Sequence, residues 1–296
     1  MESATLRRPP ALPQLLRLGL LGLLLLLALM AWTTTDARMR GMDAGPGTDP
    51  GTLGFFLATW VVMMSAMMFP SISPMVLMYA RIAAGQRERG KGDQAGGTAL
   101  FVGGYLIAWT AAGLIGYAIY ELGRSLSIDA FSWDRGGPYL AGAVLIGAAA
   151  YQLTPLKDAC LRKCRNPLMF LLGSWRPGRT GALRMGVEHG AWCVGCCWAL
   201  MAALFALGVM SLGWMALVAA LIAAEKLLPR QAHASAGVAV LLLALGLGVA
   251  FAPASVPGLT QPGSPQSMRS MEGMQSMESV DGDEPMRPPA QASMEE

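Results

Sequence analysis

Charge is what this chain has little of. Lys, Arg, Asp and Glu together make up 14 % of its 296 residues, while 54 % are hydrophobic. A soluble domain of this length carries about a quarter charged residues, so that class is excluded and the chain belongs in a bilayer. The formal net charge is only +3, and the positive residues stand in short groups between apolar stretches, which implies topology and no nucleic-acid partner. Enzyme signatures are missing too: there is no nucleotide-binding loop, no H-E-x-x-H helix and no G-x-S-x-G elbow, so catalysis has little support. No thioredoxin-like βαβ pattern and no internal repeat is present.

Long apolar runs are what remains. The run 15–32 follows Arg7 and Arg8 and holds Arg17 near its start; it is longer than a usual signal-peptide core and lacks a clear cleavage site, so it reads as a retained first span. Six more follow, at 53–80, 98–122, 139–156, 186–210, 212–228 and 234–251. The expected fold is therefore all-α, a polytopic transmembrane helix bundle of about seven spans. Sixteen of the 22 Lys and Arg fall on one side; Arg38, Arg40, Arg124, Arg135, Arg269 and Arg287 fall on the other. By the positive-inside rule the N-terminus is cytoplasmic and the C-terminus outside, in a bacterial inner membrane. The expected division is a cytoplasmic segment 1–14, a membrane domain 15–252 and an outer tail 253–296, whose Pro, Ser, Gly and acid cannot build a core. Pro70 and Pro74 should kink or break the second span and turn Met68–Pro74 toward the bundle interior, because freed carbonyls find no partner in lipid.

All five cysteines lie between Cys160 and Cys197, an odd number that leaves at least one free thiol. Cys160 and Cys164 share a helical face just after the fourth span. At the start of the fifth, His189, Cys193 and Cys196 or Cys197 fall on one stripe. Alternating topology brings both groups to the cytoplasmic end. Thiolates with an imidazole suit copper(I), zinc or an iron–sulfur centre, and the reducing cytoplasm would keep them unpaired. The alternatives are tight apolar packing of small residues and thiol–disulfide exchange through Cys193 and Cys196, spaced as C-x-x-C.

Glu225 and Lys226 close the sixth span. Glu225 could ligate a cation or neutralise Arg162 or Arg165, and Lys226 could snorkel to the interface. Met63 and Met67 lie one turn apart in the second span, and Met268, Met271, Met274 and Met277 recur every third residue in the tail. Thioethers are soft, uncharged copper(I) ligands, so both sets are candidate metal donors beside their packing role.

The runs Trp60–Ser71 (WVVMMSAMMFPS), Cys160–Pro167 (CLRKCRNP), Cys193–Trp198 (CVGCCW) with Met201, and Glu225-Lys226 together resemble the predicted metal-binding integral membrane proteins of bacteria catalogued as domain of unknown function 2182. The resemblance implies an all-helical membrane protein with metal ligands at those positions and no particular reaction. The expectation is a soft-metal site of Cys160, Cys164, Cys193, Cys196 and Cys197, with His189, Glu225, Met63 and Met67 near it, in a protein whose partners are the lipid bilayer and a metal ion. A membrane thiol–disulfide oxidoreductase and a non-catalytic membrane scaffold are the competing classes.

Overall fold

The computed structural model describes residues 14–39, 51–88, 96–125, 133, 136–209, 211–228, 231–261, 264 and 268. Among them every regular element is helical: α1 (Gln14–Met39), α2 (Leu53–Glu88), α3 (Gly97–Ser125), α4 (Gly137–Gln152), α5 (Pro155–Arg165), α6 (Pro167–Ser174), α7 (Gly178–Leu207), α8 (Leu212–Leu227) and α9 (Gln231–Phe251), followed by one 3₁₀ turn. Five of these, α1, α2, α3, α7 and α9, are long and apolar enough to cross a membrane. The run 139–156 is not one straight helix. It bends by 66° between α4 and α5, and the two make a sixth span if counted together. At 16 residues, α8 rises only about 24 Å, short of the ~30 Å of a bilayer core.

Neither proline breaks α2, which is continuous from Leu53 to Glu88 with Pro70 and Pro74 inside it. Each proline lacks the N–H that would bond the carbonyl four residues back, and each orphaned carbonyl finds another donor. Trp32 Nε1 of α1 donates to Ala66 O at 3.1 Å, and Ser73 Oγ donates to Pro70 O at 2.9 Å. The stretch between is buried, as expected, except at the prolines themselves. The helix is thus continuous through both prolines, and its two hydrogen-bonding gaps are filled by side chains.

Helices α3 and α7 run parallel and pack through glycine. Gly186 abuts the Phe101 carbonyl, Gly104 abuts Leu183 O, and a Cβ on Gly190 would stand 2.6 Å from Ala108 Cβ. Small residues let two backbones approach this closely. Helix α2 lies antiparallel to both. At one depth Trp60 Nε1 donates to Trp109 O at 2.8 Å and the Trp60 ring lies 6.0 Å from Phe205. At another, Tyr79 stacks on Phe101 with centroids 4.8 Å apart. A second seam joins α4 to α9, where a Cβ on Gly142 would meet Ala250 Cβ at 2.7 Å.

The α3–α7 seam makes a direct prediction. Gly186→Val should force the two backbones apart and cost about 1–3 kcal/mol, seen as a lower unfolding midpoint of the detergent-solubilised protein. Gly103→Ala, on α3 with open space around it, should not lower the midpoint. Equal midpoints for both variants would refute close α3–α7 packing.

Candidate metal centre

The bend after α4 starts the site. Thr154 caps α5 by accepting from Lys157 N at 3.3 Å, and Pro155 fills the first helical position, where no N–H is needed. Tyr151 at the end of α4 donates to Gly195 O of α7 at 2.6 Å, which docks the bend against the middle of α7. Helix α5 then lies against α7. Gly195 leaves room for Cys160, whose Sγ would be 2.9 Å from a Cβ there.

One turn further along α5, Cys164 Sγ stands 3.8 Å from Cys196 Sγ. The sulfurs of Cys164, Cys193 and Cys196 all lie within 4.8 Å of one another. Cys197 Sγ is 3.3 Å from Cys196 Sγ, and the Cys196 thiol donates to Cys193 O at 3.1 Å. Cys193, Cys196 and Cys197 are buried, Cys164 is half-buried, and all five cysteines are free thiols. The cluster is not at the start of its helix. Helix α7 begins at Gly178, so Cys193 sits about 22 Å along it, midway instead of at an end.

Charged groups surround the thiols. Lys226 is buried, not snorkelling: its Nζ donates to Cys193 Sγ at 3.0 Å and to Ser71 Oγ of α2 at 3.3 Å. Glu225 pairs with neither Arg162 nor Arg165 through its carboxylate; Lys157 takes that role, in a salt bridge with both side chains under 3 % exposed. Arg165 donates instead to the backbone carbonyls of Glu225, at 2.8 Å, and of Leu228. Arg162 pairs with Asp158 at 2.7 Å on the exposed side of α5. From α3, Tyr105 OH lies in hydrogen-bonding contact with Cys193 Sγ at 3.1 Å.

The remaining expected ligands are placed as follows. His189 is buried one turn before Cys193, stacked on Phe101 and Tyr105 with Phe170 edge-on, and its Nδ1 has no partner among the described residues. Met63 and Met67 are buried on α2, and Met67 lies one turn before Ser71. Met268 is exposed; Met271, Met274 and Met277 lie outside the described residues. Sequence reasoning missed Tyr105, Lys157 and Ser71. Lys157 was the one with a signal, as a cation directly after an apolar run.

The donor set fits a soft ion. An edge of a tetrahedron of sulfurs around zinc or copper, with bonds of ~2.3 Å, is about 3.8 Å long, the Cys164–Cys196 separation. Residues 57–249 match a family model described as PpoB2, copper chaperone. The metal-binding character expected from the motifs is shown under this description rather than under the unknown-function label. Comparisons with curated proteins and with solved structures gave no match.

The buried ion pair carries its own prediction. Lys157→Met or Glu225→Leu alone leaves an uncompensated charge and should cost about 3–5 kcal/mol. The double variant should recover most of that in a thermal melt; two single losses that simply add would show that the charges do not act as a pair.

Proposed function

The chain belongs to the PpoB2 copper chaperone family, and from that premise we propose that it holds copper(I) within the bilayer between the thiols of Cys164, Cys193 and Cys196. The observation that carries this reading is three sulfurs within 4.8 Å of one another, on two different helices, at a buried depth. Cys197, at 3.3 Å from Cys196, is a fourth donor. Cys160 and His189 stand next to this group as exchange ligands. Glu225 acts through Lys157 and not on the metal. Met63 and Met67 approach the site from α2, and Met268, Met271, Met274 and Met277 collect copper at the outer tail.

Charge accounts for Lys226. Copper(I) held by two thiolates, with the third cysteine kept as a neutral thiol, leaves one negative charge, and so does zinc held by three thiolates. An unbalanced charge in a medium of low dielectric is costly, and the Lys226 ammonium, 3.0 Å from Cys193 Sγ, cancels it. Both ions satisfy this balance; the family favours copper. The basic groups around α5, at the end of α2 and at the start of α7 face the cytoplasm of a bacterial inner membrane in this reading, with the N-terminus inside and the C-terminus outside.

Metal analysis of anaerobically purified protein tests the assignment. Cys193→Ser with Cys196→Ser should strip most of the bound copper, whereas Cys160→Ser should retain it; undiminished copper in the double variant would sink the proposal. Lys226→Met should keep the thiols but weaken copper(I) binding by about tenfold or more, measured by competition with a chelator. Unchanged affinity would remove Lys226 as counter-charge.

A further inference from the structure

Helices α3 and α4 both pack on α7 but scarcely touch each other. Between them lies a cavity of about 640 Å³ whose floor is formed by residues 194–206 of α7. Small residues make the space: Gly116 of α3 lines it and has nothing within 4 Å of where a Cβ would stand. Protein interiors hold few voids larger than a water molecule, so a space of this size calls for an occupant. Ile115 and Ile119 of α3 and Leu140 of α4 line the cavity and are exposed, which puts its mouth on the lipid-facing side.

The walls choose the occupant. Among the described residues they carry no Lys, Arg, Asp, Glu or His, and they include Trp60, Trp109, Trp133 and Trp198, half of the chain's eight tryptophans. An apolar cavity stays dry, so the ligand comes from the bilayer. Two of the indoles are held in place. Trp60 Nε1 donates to Trp109 O at 2.8 Å, and its ring stacks on Phe56 with centroids 5.7 Å apart; Trp198 stands edge-on to Tyr151 at 4.9 Å. Fixed indoles favour a flat ring over a hydrocarbon chain, because aromatic pairs gain more than the area they bury. Trp109 adds one polar demand. Its side chain is 1 % exposed, and its Nε1 has no hydrogen-bond partner among the described residues. A buried N–H needs an acceptor, which a hydrocarbon chain does not supply. The positive end of that N–H disfavours a cationic headgroup, and the walls hold no acid to balance one.

We propose that this cavity binds a lipid-soluble molecule with a flat conjugated ring and a ring carbonyl, the chemistry of a prenylated quinone. The ring lies among the indoles, a carbonyl oxygen accepts from Trp109 Nε1, and the apolar tail leaves between α3 and α4 past Ile115 and Ile119. The volume falls within the roughly 300–1,000 Å³ of small-molecule pockets. None of the five thiols lines the cavity, so the site stands or falls independently of the copper assignment.

A benzoquinone with a ten-carbon tail, titrated into the detergent-purified full chain, tests the site through quenching of indole fluorescence. Quinone that only partitions into the micelle quenches in proportion to its concentration, whereas bound quinone adds a component that saturates. Expected is a saturating component in the wild type that is lost in Gly116→Phe and in Ala202→Phe, which fill the cavity from α3 and from α7; the second serves if the first does not fold. Trp109→Phe keeps a ring at the wall without the donor and should weaken the saturating component about tenfold. Palmitic acid, which has acceptor oxygens and no ring, should not displace the quinone. Purely linear quenching in the wild type, or a saturating component that persists in a folded cavity-filling variant, overturns the site. Displacement by an equal concentration of palmitic acid overturns the ring and makes the occupant an acyl chain. Unchanged affinity in a folded Trp109→Phe overturns the carbonyl contact.

Discussion

Two opposite charges meet where almost no solvent reaches: Lys157 in the first turn of α5 and Glu225 in the last turn of α8. Neither could be buried alone, because the desolvation of a single ion exceeds what any packing gain returns. Together they tie the helix that carries Cys160 and Cys164 to the helix that carries Lys226. Arg165 adds a second tie, through the backbone of α8. With those ties made, Cys164 reaches Cys196 and Lys226 reaches Cys193.

The helical class and the gathering of cysteines were legible in the sequence because they rest on composition and spacing. Hydropathy runs long enough to span announced α1, α2, α3, α7 and α9, and the i, i+4 spacing placed Cys160 with Cys164 and His189 with Cys193. Depth was harder to read. Arg179 and Arg184 end the apolar run near Gly186, so the eight residues that α7 adds before it were invisible, and with them the mid-helix position of Cys193. The 66° bend was hidden because apolar residues continue through Leu156; its signal was Thr154-Pro155, a cap followed by a proline at the first helical position.

Partner choice was the least legible. Lys157 and Glu225 are 68 residues apart, and nothing local says that they meet rather than Glu225 meeting Arg162 or Arg165. Lys226 near a helix end satisfies the usual conditions for snorkelling, but α8 is short, and that end lies in the interior beside Ser71 and Cys193.

Why the cluster lies beside a helix break follows from backbone chemistry. An interrupted helix at membrane depth exposes N–H and C=O groups that lipid cannot satisfy, so breaks survive only inside protein or beside a wet cavity. Here Leu153 and Thr154 bond back to Ala150 and Tyr151, Thr154 Oγ1 bonds to Tyr151 O, and Tyr151 OH closes onto Gly195 of α7. A cavity of about 200 Å³ lined by Gln152, Thr154, Lys157 and Ser235 adjoins the break. The groups that heal the break also hold it against the thiol-bearing stretch of α7. In this protein the break brings Cys164 and Lys157 to the depth of Cys193, and the charge of Lys157 in turn requires Glu225, which brings Lys226. The cation beside the thiols is thus a structural consequence of the bend that delivers them.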